Sequence, residues 1–389
     1  MAKTLRIGMI GAKFMGRAHS NAWMSAPRFF DLPRGVEMHT VCARDADATQ
    51  AFADRWGWSR TTTRWRNVAE ADDIDLVDVA TPNHVHADPA VAALAAGKHV
   101  ACEKPLAATL ADARLMRDAA RKAKRRGLHT FVWFNYRRCP AVALAHQLAR
   151  EGKLGRIHHV RAQYLQDWGG PDTPLLWRFQ KRQAGSGAHG DLNAHIIDMA
   201  RFILGDEIVE VTGSIEETFV KERRKLRPDG TPGRATGRST VDDCVLFIGR
   251  FAGGATASFE ATRLATGNQN RNAIEVNGEK GSIRFDFERM NELQWWDNTL
   301  EERLRGWSRI LCTTPGAHPY VDAYWPPAHI IGYEHGFVSQ VADIVRVVAG
   351  RRPVVPLPDF DDAYETQRVL EAALIAARER CPVKLREVR

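Results

Sequence analysis

Short apolar runs alternate with longer amphipathic stretches through the first 135 residues, and this alternation is the feature that most constrains the fold. The apolar runs are hydrophobic at odd and even positions alike, which is typical of parallel strands covered on both faces. A repeated strand–helix–strand order predicts a doubly wound parallel sheet. The expected strands are 5–10, 38–43, 76–80, 99–102 and 130–134, and the expected helices are 14–25, 46–56, 88–96 and 110–126.

The pattern changes after a helix expected at 140–151, where consecutive strands begin to follow one another with little helix between them. Glycine-containing turns between these strands predict a mainly antiparallel sheet. The expected strands are 156–166, 207–219, 241–251, 255–262, 272–277, 282–287 and 292–296, with helices at 191–204, 333–349 and 361–380. We therefore expect an α/β protein with a dinucleotide-binding domain at 1–135 and an α+β domain with an open sheet at 136–389.

The first strand leads into the loop "GAKFMG", residues 11–16, which has the context of a Rossmann dinucleotide-binding loop. Gly11 can make the tight turn, and Gly16 can let the helix pack closely on the strand. Lys13 stands where a glycine normally lets the backbone approach the pyrophosphate. Because glycine-rich strand ends are common, the loop predicts a nucleotide site only together with other motifs.

The end of the second strand bears on the choice of cofactor. The sequence "VCARDAD" places Ala43 and Arg44 where an acid would bind the ribose 2′-hydroxyl of NAD. A guanidinium at that position favours the 2′-phosphate of NADP, by a small margin. The alternative is that Arg44 stacks on the adenine while Asp45 reaches the ribose of NAD.

Two later segments are more specific. The first, "VATPNHVHADPAVAALAAGKHVACEKP", ends in Glu103-Lys104-Pro105, and the second, "AGSGAHGDLNAHIIDMARF", carries Asp191 and His195 four residues apart. Together they resemble the Gfo/Idh/MocA oxidoreductase family, which includes glucose–fructose oxidoreductase and inositol dehydrogenases. The resemblance covers most of the first 205 residues and is looser beyond them. The "FMGRAHSNAW" start and the run 318–335 look most similar to the levoglucosan and sugar or glycoside dehydrogenase branch.

This resemblance implies an NAD(P)-dependent dehydrogenase that acts on a secondary hydroxyl of a sugar, cyclitol or glycoside. His195 would be the general base, with Lys104 polarising the hydroxyl and Asp191 completing the catalytic set. The residues agree with this chemistry, because Lys104 follows a parallel strand at the edge where such sheets bind ligands. An ammonium group there can stabilise a developing alkoxide, and an imidazole can take the hydroxyl proton.

The remaining site residues fall into two groups. The cofactor contacts implied by the family are the following: Gly11, Lys13, Phe14, Met15, Arg44, Thr81, Asn83, His86, Glu103, Lys104 and Asn135. His86 would lie beside the nicotinamide ribose. The candidate substrate contacts are Tyr164, Gln166, Trp177, Arg178, His329 and Tyr333. The aromatic run 318–335 could instead be a buried loop with aromatic packing.

Composition removes several other classes of protein. The formal charge of +8 is concentrated partly in the run 221–238, which we interpret as a solvated loop rather than a nucleic-acid site, because no nucleic-acid fold signature accompanies it. Six scattered cysteines without a CxxC pair predict free thiols, and the histidines form no recognisable zinc signature, so we expect no metal. The chain has neither an apolar membrane-length run nor a signal region, so we expect a cytoplasmic enzyme without a membrane partner.

Three alternatives remain open. An enzyme that keeps its cofactor bound through oxidation and reduction, or a glycoside-processing relative, would use the same residues. A nucleotide-sensing protein without chemistry would normally have lost Lys104 or His195.

The open sheet of the second domain has a face that the expected helices do not cover, which favours a homodimer or homotetramer.

Overall fold

The structure is a computed structural model that describes residues 4–388. The described chain divides into two compact units, one reaching Arg138 and including Pro319–Tyr364, the other comprising Cys139–His318 and the chain from Glu365. The predicted boundary at 135 lies close to the first change of unit. The helix at Tyr333–Val348, which falls within the predicted second domain at 136–389, belongs to the first compact unit and packs against its helix at Phe14–Phe29.

The first unit contains a parallel sheet with the order β3-β2-β1-β4-β5-β6. Every residue of β4 is buried, as expected for a strand covered on both faces. The strands are β1 (Leu5–Ile10), β2 (Val36–Cys42), β3 (Arg60–Thr62), β4 (Leu76–Val79), β5 (His99–Cys102) and β6 (Thr130–Val132). This sheet confirms the predicted doubly wound architecture, although β3 was not expected.

Helices connect these strands, and local sequence fixes where several of them begin and end. Asp45 accepts the Ala48 N–H and starts α2, which ends at the left-handed Gly57. Thr109 accepts the Asp112 N–H at 3.1 Å and starts α5, as its capping-box spacing predicts. The helices are α1 (Phe14–Phe29), α2 (Ala46–Trp56), α3 (Arg66–Ala69), α4 (Ala87–Ala95) and α5 (Leu110–Lys124), with 3₁₀ turns at Asn83–Val85 and Asn135–Arg138.

The second unit is built on a mainly antiparallel sheet with the order β16-β15-β14-β13-β7-β12-β11-β8-β17. The neighbours β7 and β12 are parallel, which the turn pattern did not predict. Strands β9 and β10 pair with each other in a separate two-stranded sheet. The strands of the second unit are β7 (Ile157–Leu165), β8 (Ile208–Glu217), β9 (Glu222–Leu226), β10 (Pro232–Arg238), β11 (Cys244–Phe251), β12 (Thr256–Thr262), β13 (Arg271–Gly278), β14 (Gly281–Asp286), β15 (Glu292–Asp297), β16 (Trp307–Leu311) and β17 (Val383–Lys384).

The later helices differ in length and position along the chain. They are α6 (Pro140–Arg150), α7 (Lys181–Ala184), α8 (Ala194–Leu204), α9 (Val321–Tyr324), α10 (Tyr333–Val348) and α11 (Phe360–Glu379). Further 3₁₀ turns lie at Trp177–Phe179, Phe287–Arg289, Glu302–Leu304 and Leu385–Glu387. A π-helical turn, His189–Asn193, leads directly into α8.

The basic run 221–238 forms the β9–β10 hairpin rather than the predicted loop. Arg223 lies on β9 with its side chain buried, and it forms an ion pair with Asp243 at 3.2 Å. Its guanidinium also donates to the carbonyls of Gly169 and Gly170. This buried cation ties the hairpin to the rest of its unit, so the excess charge of the run is only partly exposed.

The other exclusions concern thiols, metals and membranes. All six cysteines lie within the described residues and are free thiols, four of them buried. Across residues 4–388, no three His, Cys, Asp or Glu side chains gather into a group that could hold a metal ion. No helix in this part of the chain combines the length and the apolar character needed to span a membrane.

Candidate active site

The loop after β1 has the close packing that a dinucleotide site requires. Gly11 has φ +118°, and a Cβ there would lie 2.4 Å from the Ala80 carbonyl oxygen. A Cβ on Gly16 would lie 2.2 Å from the Gly11 carbonyl oxygen. Both positions therefore exclude side chains, because the loop lies directly against the end of β4 and the start of α1.

The N-terminus of α1 remains open to an anion. Lys13 is its N-terminal cap and is exposed, and within the described residues no side chain caps the helix there. The first turn has no acidic residue, and Phe14 is exposed while Met15 is half-buried. Uncapped N–H groups and the helix dipole suit a phosphate.

Thr81 provides a second sign of a ligand at this edge of the sheet. Its hydroxyl oxygen is buried and has no hydrogen-bond partner among the residues that the structure describes. Together with the glycine packing and the open helix terminus, it fits a dinucleotide bound at the carboxyl end of β1 and β4. The lysine in the loop does not obstruct this fit, since its side chain is exposed.

The residues after β2 leave the cofactor choice open. Arg44 is exposed, as a residue that binds a 2′-phosphate must be. Asp45 is also exposed, and one of its carboxylate oxygens accepts the Ala48 N–H at 2.9 Å. The predicted alternatives, Arg44 for NADP or Asp45 for NAD, are therefore both sterically available.

Lys104 lies just after β5, half-buried, and its peptide bond to Pro105 is cis. Its backbone N–H donates to Glu103 Oε2 at 3.0 Å. The Glu103 carboxylate is 4% exposed and its other oxygen lies 3.0 Å from His19 Nε2. Both Glu103 oxygens therefore have partners within the first unit, and its contact with a cofactor stays a prediction.

His86, predicted beside the nicotinamide ribose, lies in the interior of the first unit. The ring is fully buried, with Nε2 2.9 Å from the Thr81 carbonyl oxygen and Nδ1 3.2 Å from those of Pro105 and Leu106. Burial lowers the pKa of His86, and hydrogen bonds to these carbonyls oppose that shift. The ring joins the loop after β4 to the turn that carries Lys104, and its place beside the nicotinamide ribose stays a prediction.

Tyr333, Asn135 and His329 lie in the first unit as well. The Tyr333 hydroxyl is 2.8 Å from that of Tyr136, the residue after the buried Asn135. The exposed His329 stacks on Trp325 with ring centroids 6.0 Å apart. Half-buried Asn83 forms the 3₁₀ turn after β4.

Asp191 and His195 belong to the second unit. The spacing predicted that they share one regular helix, and they do not. Asp191 lies in the π-helical turn, whereas His195 lies in α8. The buried Asp242 carboxylate accepts the N–H groups of Gly187 and His189 at 2.6 and 2.8 Å. A π turn is a local insertion that is common at functional sites, and here it leads directly into the helix that carries His195.

Arg263 is a neighbour of Asp191 that no sequence motif indicated as a site residue. Its guanidinium donates to Asp191 Oδ2 at 2.8 Å, and Arg178 lies 4.0 Å from the same oxygen. Arg263 is buried and lies over the Trp168 ring, 5.0 Å from its centroid. Asp191 is therefore held by a cation that cannot rotate freely.

A polar chain connects the predicted substrate residues of this unit. The hydroxyl of Tyr164 and the amide of Gln166 both donate to Asn270 Oδ1, at 2.9 and 2.7 Å. The Tyr164 ring lies 5.9 Å from the His195 ring. Trp177 carries the Arg178 guanidinium over its face, 4.6 Å from the ring centroid. These contacts place aromatic and amide groups around the turn that carries Asp191 and the start of α8.

Comparison with known proteins shows the family to which this chain belongs. Residues 5–131 match the family model for oxidoreductases with an NAD-binding Rossmann fold, and residues 142–284 match that for the GFO/IDH/MocA C-terminal domain. The chain is 40% identical to a levoglucosan dehydrogenase from Pseudarthrobacter phenanthrenivorans, over 96% of each chain.

Solved structures extend this likeness to three dimensions. An oxidoreductase domain protein from Kribbella flavida is 51% identical, with a TM-score of 0.93 over 99% of this chain and 100% of the other. A levoglucosan dehydrogenase in complex with NADH and levoglucosan is 40% identical, with a TM-score of 0.90 over 98% and 99% of the two chains. The chain belongs to the Gfo/Idh/MocA family of NAD-binding oxidoreductases.

Proposed function

We propose that this protein oxidises a secondary hydroxyl of an anhydrosugar or a related pyranose and transfers the hydride to NAD. The observation that carries the proposal is the 40% identity to levoglucosan dehydrogenase over nearly the whole of both chains. The local chemistry is compatible, since each unit supplies a side chain that can act on a hydroxyl, Lys104 in the first and His195 in the second.

The bound nicotinamide would supply the hydride acceptor. Lys104 donates a hydrogen bond to the substrate hydroxyl oxygen and stabilises the negative charge that develops there. His195 accepts the hydroxyl proton as general base. Asp191, held by Arg263, orients the substrate or the base. The loop at 11–16 and Thr81 would bind the dinucleotide phosphates and ribose.

NAD is our proposed cofactor because a relative at 40% identity has been solved with NADH. Arg44 is the feature that favours NADP instead, as the sequence predicts. The two are separated by kcat/KM for each cofactor under one set of conditions. A tenfold or larger preference for NADP would overturn the proposal for NAD.

Substrate contacts are proposed from side chains that suit a pyranose. Aromatic faces stack on sugar rings and amides bind hydroxyls, which favours Tyr164, Gln166, Trp177, Arg178, His329 and Tyr333 as contacts. Ala substitution of Trp177 or Tyr333 is expected to raise KM for the sugar more than it lowers kcat.

The direct test is a parallel activity assay of levoglucosan, other anhydrosugars, aldoses, inositols and glycosides, with NAD and with NADP. Reduction of the cofactor by levoglucosan or another pyranose supports the proposal. If no sugar is oxidised and the purified protein already absorbs as reduced nicotinamide, the recycling alternative replaces it. If nucleotide binds without any turnover, the protein is a nucleotide sensor.

We also propose a homodimer or homotetramer. Leu246 and Ile248 on β11 and Ile215 on β8 are 36%, 38% and 56% exposed on one sheet. An open apolar face of this kind is commonly buried against a second subunit. Light scattering on the full chain at micromolar concentration tests this, and a monomeric mass would contradict it.

A further inference from the structure

A cluster of polar side chains is buried inside the first unit, directly behind the turn that carries Lys104. His19 on α1 and Asp78 on β4 are fully buried, and Glu103 is 4% exposed. An acid inside a parallel strand that is covered on both faces needs a partner, because an isolated buried charge is costly. The cluster therefore requires an account of how its charges are balanced.

His19 lies between the two acids. Its Nδ1 is 3.1 Å from both carboxylate oxygens of Asp78, and its Nε2 is 3.0 Å from Glu103 Oε1. With an acceptor at each nitrogen, only the imidazolium form donates to both, whereas a neutral ring would direct a lone pair at one carboxylate. The geometry thus favours a buried histidine cation.

Asp78 is fixed by further donors. The indole N–H groups of Trp23 and Trp133 donate to its two oxygens at 2.7 and 2.9 Å. The Trp133 ring packs on the His19 ring with centroids 4.2 Å apart, and Phe337 on α10 packs at 5.8 Å. These neighbours carry no charge, so the groups that set the state of His19 are the carboxylates on β4 and after β5.

The electrostatics agree with the geometry. Burial alone would lower the pKa of His19, but Asp78 and Glu103 outweigh it and raise the pKa to about 9. Cys102 on β5 lies close enough to both acids for them to raise its pKa, which burial raises most, so its thiol stays neutral. His86, whose pKa burial lowers, also senses Glu103.

The cluster reaches Lys104 through one residue. Glu103 accepts from His19 with Oε1 and from the Lys104 backbone N–H with Oε2, at 3.0 Å in each case. Rotation of Glu103 would break both bonds. The orientation of the Lys104 backbone is in this way coupled to a histidine on the first helix.

We propose that His19 is a positioning residue for Lys104, acting as a buried imidazolium that fixes Glu103 between Asp78 and the Lys104 backbone. This rests on the proposed function, in which Lys104 contacts the substrate hydroxyl. His19 itself does not touch the substrate, because its ring is fully enclosed.

A double-mutant cycle tests the proposal in the full-length enzyme. His19→Gln keeps one donor but loses the charge and the second donor, and its kcat is expected to fall about tenfold or more. If His19 acts through Lys104, the same change in a Lys104→Ala background lowers kcat less than twofold, because coupled residues are not additive. An equal fold loss in both backgrounds, or no loss in the wild type, would overturn the proposal.

Two measurements protect the test from a folding defect. The variant His19→Gln/Asp78→Asn removes one cation and one anion together, so it leaves the cluster's net charge unchanged and is expected to fold while keeping the tenfold loss of kcat. His129→Gln, at a half-buried histidine of the same unit without a carboxylate partner, is the matched control and keeps the wild-type kcat.

The protonation state of His19 can be measured by NMR, independently of enzyme activity. In histidine-¹⁵N-labelled wild type, one ring is expected to remain doubly protonated at pH 8 and to titrate with a pKa of about 9, and its signal is missing from the charge-matched variant. Neutral rings throughout at pH 8 would overturn the proposal. Full activity of Lys104→Ala would instead remove the proposed role of Lys104, and the two failures are distinguishable.

Discussion

Each proposed catalytic side chain has a carboxylate near it in the chain, and the two carboxylates are held by different cations. In the first unit His19 contacts Glu103, and in the second Arg263 donates to Asp191. Both cations are buried. An imidazolium loses its charge within the accessible pH range, whereas a guanidinium keeps it. We infer that the contact that holds Glu103 depends on pH, whereas the contact that holds Asp191 does not.

The largest effects should come from the two side chains that are proposed to act directly on the substrate hydroxyl. Lys104→Ala and His195→Ala are each expected to lower kcat by about a hundredfold or more, since each removes a group that stabilises charge or moves a proton. Steady-state kinetics with the best sugar measure this. The exposed residues Lys124 and His158 provide matched alanine controls, and wild-type kcat in either active-site variant would refute that residue's role.

A smaller loss is expected when the guanidinium of the second unit is removed. Arg263→Met leaves Asp191 without its 2.8 Å donor, and kcat/KM should fall about tenfold. The kcat/KM of Arg263→Lys should lie between those of the wild type and Arg263→Met, because lysine keeps the charge without the planar fork of the guanidinium. The factor by which Arg263→Met lowers kcat/KM should stay constant between pH 6.5 and 9. A loss of kcat/KM that grows with pH would contradict the comparison. Arg250→Met, at an exposed residue of β11, serves as the control.

The free energy of unfolding should carry the signature of His19. Its pKa is raised on folding from 6.5 to about 9, so its contribution is fully present below pH 6.5 and is lost as pH rises through 9. Between these limits the wild type should lose on the order of 3 kcal/mol relative to His19→Gln. Urea unfolding at intervals from pH 6 to 10 measures this. Parallel pH curves for the two proteins would contradict it.

The smallest expected effect separates cofactor choice from positioning within the first unit. Arg44→Ala should lower kcat/KM for NADP about fivefold and leave that for NAD within twofold, because a guanidinium that pairs with the 2′-phosphate has no such partner in NAD. Parallel assays with both cofactors check this. An equal loss for both would mean that Arg44 stacks on the adenine.

The sequence was sufficient for the class of both sheets, one parallel and one mainly antiparallel. Short runs with apolar residues on both faces favour buried parallel strands, and the predicted parallel sheet is found in β1, β2, β4, β5 and β6. Strand β3 was missed because Arg60–Thr62 is short and polar. The return of α10 to the first unit was also missed, since local patterns contain no record of which sheet a late helix covers.

At the candidate site, Lys104, Asp191 and His195 were found from their motifs, and their roles remain proposals. Asp78 gave a usable signal, because an acid in the buried run "LVDVA" needs a partner. Arg263 gave none, since an arginine that follows a strand is usually solvated. The buried contacts of His86 and Glu103 could not be predicted, because motif position does not state on which side of a turn a side chain lies.

The amino-acid sequence by itself determined the class of fold, the position of the glycine-containing loop after the first strand and the candidate residues for catalysis, because these follow from periodicity and residue type along the chain. Only the tertiary structure decided which cation meets which acid. His19 and Glu103 are 84 residues apart, and Asp191 and Arg263 are 72 apart. Such pairings depend on how strands and helices pack, and no local pattern encodes that.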